Sequence, residues 1–187
     1  MSINLKKGGS FNLTKEEPGL KKIMFGLGWE VKQGNSLDLD ASVFLVNSSG
    51  KLPNDNYFVF YNNLKSPDGS IQHTGDNRSG FGDDDDEMIL CNLDLVDASV
   101  SEILVTVSIH EAETRRHNFG LLADAYIRLY DVENKKEILR YDLDSQNSYD
   151  AGMIFGKLQR QNNEWKFYAL GEGNAMGGLR GFVEKYA

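Results

Sequence analysis

Short runs of β-branched, aromatic and aliphatic residues recur along the chain with turn-forming residues between them, and this spacing constrains the fold more than any other feature. Expected strands fall at 10–13, 21–29, 41–46, 57–61, 87–93, 102–109, 125–131, 137–141, 151–159 and 165–171. Strict alternation is visible in several of them. In one, Ile103, Val105, Val107 and Ile109 share a face while Leu104, Thr106 and Ser108 take the other. Asn47-Ser48-Ser49-Gly50-Lys51, Ser66-Pro67-Asp68-Gly69 and Gln161-Asn162-Asn163-Glu164 supply turn chemistry between apolar runs. Helical patterns are scarce: a short turn near 111–116, and a C-terminal helix over 179–186 reached through Gly177-Gly178. The expectation from these residues is an all-β sandwich or barrel. Asp40-Ala41-Ser42-Val43-Phe44-Leu45 is weakly echoed by Asp124-Ala125-Tyr126-Ile127-Arg128-Leu129.

A single domain over 1–187 is expected, because the three prolines, Pro18, Pro53 and Pro67, are isolated and no low-complexity tract forms a linker. The hydrophobic fraction of 40% lies far from that of a disordered chain. No apolar run follows Lys6 and Lys7, and none approaches the roughly 20 residues of a spanning helix, so a cytoplasmic protein with no direct membrane insertion is expected. The single Cys91 sits in the apolar run Met88-Ile89-Leu90-Cys91 and reads as a buried small hydrophobe.

Negative charge is focal. Between Asp76 and Glu87 six acids face only Arg78, a local net of −5 out of the chain's −8. Such a loop repels phosphate backbones, which argues against nucleic acid, and it suits a hard cation. Three clusters lie at or after strand ends: Asp38-Leu39-Asp40-Ala41-Ser42, Asn62-Asn63, and the segment from Asp76 to Glu87. Calcium needs six to eight oxygens at about 2.3–2.6 Å, from carboxylates, amides, backbone carbonyls and water. Asp38 and Asp40, spaced i and i+2, share a face of an extended strand. The run Asp83–Glu87 cannot converge on one ion by itself, since consecutive extended residues point to opposite sides, so other loops must contribute. With Asp76 and Asn77 added, two neighbouring sites bridged by shared carboxylates would account for this many acids. An EF-hand is excluded, because Val43 stands where that loop needs glycine. On pattern alone, a metal site and a solvated acidic loop both remain open.

Other features carry less. His110-Glu111 could transfer protons but fits a structural role better, and His73, His110 and His117 lack zinc-like spacing with Cys91. Gly26-Leu27-Gly28 is not a dinucleotide fingerprint, and Trp29 and Trp165 read as core anchors.

Met1-Ser2-Ile3-Asn4-Leu5-Lys6-Lys7-Gly8-Gly9, Gly26-Leu27-Gly28-Trp29, Asp38-Leu39-Asp40-Ala41-Ser42, Phe58-Val59-Phe60-Tyr61-Asn62-Asn63-Leu64, Gly75-Asp76-Asn77-Arg78-Ser79-Gly80 and Asn118-Phe119-Gly120 follow one another in an order that resembles the TerD family of tellurite-resistance and stress proteins. The resemblance runs over essentially the whole chain. It implies a two-sheet β-sandwich with a short C-terminal helix that binds Ca2+, two ions in all. The implied ligands are Asp38, Asp40, Asn62, Asn63, Asp76, Asn77, Asp85, Asp86 and Glu87. It further implies a non-enzymatic module of the tellurite-resistance and general stress response, acting through other proteins of that system, a membrane-embedded component among them. The sequence departs from the family at Asp83-Asp84, usually Glu-Gly, and at Glu111, more often Asp. A metal-dependent phosphoesterase and a binder of cyclic nucleotides or other small ligands are the alternatives. Direct binding of the tellurite anion is disfavoured by the acidic loops.

Overall fold

The computed structural model describes residues 2–76, 85–143, 149–174 and 177–187. Its strands are β1 (Ile3–Leu5), β2 (Ser10–Asn12), β3 (Lys22–Val31), β4 (Leu39–Val46), β5 (Phe58–Val59), β6 (Ile71–Asp76), β7 (Glu87–Asn92), β8 (Glu102–Ile109), β9 (Leu122–Asp131), β10 (Lys136–Asp142), β11 (Gly152–Gln161) and β12 (Glu164–Asn174). Three short helices, α1 (Leu13–Glu16), α2 (Ala112–Arg115) and α3 (Gly178–Tyr186), interrupt them. The strands form two six-stranded sheets, in the orders β1-β10-β9-β3-β7-β6 and β2-β12-β11-β8-β4-β5. Every pairing is antiparallel except β1 on β10. This is the expected β-sandwich.

Alternation builds the core between the sheets. Phe25 and Leu27 of β3, Ile89 of β7 and Ile127 and Leu129 of β9 face Ala41, Val43 and Leu45 of β4, Ile103, Val105 and Val107 of β8, and Phe167 of β12. Trp165 joins this core, whereas Trp29 is only partly buried at its edge. A second apolar layer lies on the outside of the other sheet, where α3 seats Phe182 and Tyr186 against Phe44, Val46, Leu104 and Ile154. Leu104, Thr106 and Ser108 are therefore buried as well, although they alternate with the core residues.

Each expected strand has a counterpart; 102–109 is β8 end for end, and the others have shifted ends. β1 and β6 were not anticipated: β1 is three residues long and mostly exposed, and β6 reads Ile-Gln-His-Thr-Gly-Asp, too polar to signal a strand. The run 57–61 contains only the two-residue β5, because a 3-10 turn at Asp55–Tyr57 precedes it and Phe60 turns back on Asn63. The echoed segments are β4 and β9, which sit in opposite sheets. Asn162 and Asn163, both at positive φ, close the β11–β12 hairpin in the manner of a type I′ turn.

Candidate functional site

Three consecutive carboxylates at the start of β7 are fastened to three different strands. Asp85 lies on the outer face of the β3–β9 sheet with its side chain 0% exposed. Arg128 of β9 grips it side on: Nε donates to Oδ1 at 2.9 Å and to Oδ2 at 3.0 Å, and a terminal nitrogen donates to Oδ2 at 2.9 Å. Tyr126, two residues earlier on the same face, donates its hydroxyl to Oδ1 at 2.9 Å. Gly26 and Gly28 stand across β3 from Arg128 and Tyr126. A Cβ on Gly26 would come within 2.2 Å of Asp85 Oδ2, and one on Gly28 within 2.5 Å of the Tyr126 ring. The alternating glycines are the cradle for this cluster. Burial, then the charge and hydrogen bond of Asp85, push the Tyr126 hydroxyl well above its ordinary pKa. Burial would lower the Arg128 value, but the Asp85 contacts outweigh it and hold the guanidinium charged.

Asp86 continues the seam on β3. Its N–H donates to Leu27 O at 2.8 Å, and its Oδ2 accepts from Trp29 N at 2.8 Å. Glu87 crosses to the other sheet, where its Oε2 accepts from Ala41 N at 2.5 Å. The edge of β4 is open at Ala41 because β5 pairs only with Val43 and Phe44. His73 of β6 fills the rest of that gap, with Nε2 3.2 Å from Ala41 O and 3.6 Å from Glu87 Oε2. Nδ1 of the same ring accepts from Gly75 N at 3.0 Å, which assigns the proton of the neutral ring to Nε2. Burial lowers the His73 pKa, but Glu87, Ala41 O and Asp40 together hold it above the usual histidine range.

Trp29, Asp38, Leu39, Asp40, Asp85, Asp86 and Glu87 line one cleft of about 420 Å3. Asp38 is exposed and Asp40 half-buried. Desolvation, then the charges of Glu87 and Asp38, raise the Asp40 carboxyl above the usual carboxylate range, and His110, whose Nδ1 lies 3.4 Å from Asp40 Oδ2, offsets this only in part. Register places Asp76, the last residue of β6, opposite Glu87. Asn77, Asp83 and Asp84 lie outside the described residues. Neither amide of the Asn62-Asn63 pair lines the cleft. Asn62 is exposed in a turn, and Asn63 braces it by donating to Asn56 O at 3.0 Å and Phe58 O at 2.6 Å.

Among the described residues no three His, Cys, Asp or Glu side chains already converge on one metal position. The donor set is nevertheless the one a hard cation takes, and burial together with the nearby Glu87 and Asp38 charges disfavours the ionised Asp40 carboxyl when no ion is bound. Asp38, Asp40, Asp86 and Glu87 are the side chains that could hold Ca2+. Asp86 and Glu87 each have one oxygen accepting a main-chain N–H, which leaves the other oxygen the freer of the two for an ion. Asp85 gives both of its oxygens to Arg128 and Tyr126.

Arg128, Tyr126 and His73 did not stand out as site residues. The available signal was the glycine pair at i and i+2 in β3, which removes two side chains from one face of a strand and so makes room for another group. His110 links Asp40 to Glu111, whose Oε1 is 4.0 Å from Nε2 and whose φ is 51°. Cys91 is fully buried, and burial pushes its thiol far above the reactive range.

Comparison with known proteins places this arrangement. A family model described as the TerD domain matches residues 1–186. The chain belongs to the TerD family. It is 48% identical over 188 residues to the Tellurium resistance protein TerD of Serratia marcescens, covering 100% of this chain and 97% of that one. It is 43% identical to General stress protein 16U of Bacillus subtilis (strain 168), again over 100% of this chain and 97% of the relative. The Stress response protein SCP2 of the same organism is 35% identical with both chains fully covered. A crystal structure of a protein of unknown function, SAV2460, superposes with a TM-score of 0.69 at 20% identity, over 90% of this chain and 99% of that chain. That of a homologue of telluride resistance protein (TerD), SCO6318 from Streptomyces coelicolor A3(2), gives 0.64 at 20% identity, over 83% and 91%. At that identity the two structures bear on the fold alone. No helix among the described residues of this TerD-family chain is long and apolar enough to cross a membrane.

Proposed function

We propose that this chain is a calcium-binding, non-enzymatic module of the tellurium-resistance and general stress response, working in the cytoplasm through protein partners. Its relatives' names supply the biological setting. The calcium reading rests on one observation: Asp38 and Asp40 from one sheet and Asp86 and Glu87 from the other line a single cleft, where burial and the charges of Glu87 and Asp38 raise the Asp40 carboxyl. A divalent ion relieves that repulsion and closes the end of the sandwich. Two ions sharing carboxylates suit the number of acids in the sequence. Partners are other proteins of the same system, a membrane-embedded component included.

Thermal melts in calcium, magnesium and chelator test this reading. Calcium at one hundred times its dissociation constant adds about 2.7 kcal/mol to folding, which for a chain of this size raises the midpoint by about 5–10 °C. The double substitution Asp38→Ala/Asp40→Ala abolishes most of that rise. An unchanged midpoint in calcium contradicts the site, and turnover of phosphoesters with any divalent ion contradicts the non-enzymatic reading.

A further inference from the structure

Asp85 is the most completely sequestered acid of the cleft, and the groups that hold it come from the sheet surface rather than from the loops. Arg128 meets both oxygens at 2.9–3.0 Å, Tyr126 adds a third donor, and Gly26 leaves the space the carboxylate occupies. Arg128 is itself steadied by Glu137 Oε2 at 3.3 Å. The two residues that follow Asp85 bond main-chain groups on opposite sheets, Trp29 N and Ala41 N. A buried carboxylate without a cation is unstable, so removing the guanidinium drives Asp85 to take up a proton or to move toward water. Only two peptide units separate it from Glu87, and any such movement is passed to both of the following carboxylates.

We infer that Arg128 is a positioning residue for the cation cleft. By neutralising and pinning Asp85 it fixes where Asp86 and Glu87 stand, and it removes one negative charge from those the cleft presents to an ion. The inference rests on the calcium reading for its functional meaning, but its mechanical part does not depend on calcium. Asp85 is then an anchor, held by side chains that never touch the ion.

The test compares wild type with Arg128→Met, Asp85→Asn and the double variant, with Tyr126→Phe as a milder break in the same cluster. Calorimetric titration with calcium chloride and amide hydrogen exchange in chelator are the two readouts. Arg128→Met is expected to weaken calcium roughly 10–100-fold, the range for partners that orient ligands without touching the metal. Asp85→Asn gives a similar loss, and the double variant loses no more than either single one. In chelator, the Trp29 and Ala41 amides exchange about ten-fold faster or more in both single variants, while the Val43 amide, protected by β5, keeps its rate. If Arg128→Met does not fold, Tyr126→Phe must shift calcium affinity and both amides in the same direction by less. Calcium affinity that is unchanged or tighter in Arg128→Met overturns the inference, the latter because it would make Asp85 a ligand held in check. Unchanged exchange at Trp29 and Ala41 overturns it too. If wild type binds no calcium, the calcium reading falls, and the exchange rates alone decide whether Arg128 positions the segment.

Discussion

Glu87, on one sheet, accepts the main-chain N–H of Ala41, on the other, at 2.5 Å, in the place where a longer β5 would have supplied a carbonyl. The bond closes an open strand edge and ties the two sheets at the end that carries the acids. Removing the acceptor leaves a sequestered N–H unpaired, which costs about 1–3 kcal/mol. Glu87→Ala should therefore lower stability by that amount in urea denaturation carried out in chelator, and Glu87→Gln, which keeps an acceptor oxygen, by less. Equal losses in the two variants would show that the bond to Ala41 is not what matters.

Asp40 should stabilise the ion-free protein when its charge is deleted. Burial, Glu87 and Asp38 raise its folded-state pKa above the ordinary 3.8. Its ionised form thus opposes folding at neutral pH, and that opposition is relieved as pH falls through the raised value. In chelator, Asp40→Asn is expected to melt higher than wild type at pH 7, with the difference fading in acid. In calcium the order reverses, because a ligand is lost. Chelator-treated Asp40→Asn melting below wild type at pH 7 contradicts this.

Asp68 has the opposite sign. Burial alone would raise its pKa, but hydrogen bonds from Ser66 Oγ, the Asp97 N–H and the N–H and Oγ of Ser70 outweigh it and hold the carboxyl below the ordinary 3.8. The charged form stabilises the turn fully above that unfolded-chain value, and the contribution is lost as pH falls through the lower folded value. Asp68→Asn should accordingly be less stable than wild type at pH 6, with the gap closing at strongly acid pH. A gap that persists unchanged into acid would assign the effect to shape rather than charge.

Gly26→Ala should be poorly tolerated although alanine suits a strand at least as well. The new methyl would sit 2.2 Å from Asp85 Oδ2, and that carboxylate, gripped by Arg128 and Tyr126, has little room to yield. A loss of about 1–3 kcal/mol is expected, as for other overpacked sites. Denaturant midpoints measure it, and a neutral outcome would mean that Asp85 moves freely.

The strands were legible because alternation writes itself into sequence wherever one face is buried, as in Ile103, Val105 and Val107. β6 escaped because His73, Thr74 and Gly75 carry no such signal; His73 is buried for its hydrogen bond to Ala41 O and its contact with the Glu87 carboxylate rather than for apolarity. Asp38 and Asp40 could be paired from spacing alone. What spacing could not reveal is that Arg128, 43 positions away, takes both oxygens of Asp85, since long-range ion pairs leave no local pattern. The glycines opposite it were visible, but their purpose depends on a neighbour that only the folded sheet supplies.

The most direct measurement is a crystal structure of the protein grown in calcium. The account predicts electron density for an ion about 2.3–2.6 Å from oxygens of Asp40, Asp86 and Glu87, with Asp85 still held by Arg128. A well-ordered cleft in which those carboxylates stand apart in calcium-rich solvent, with only water between them, would contradict it.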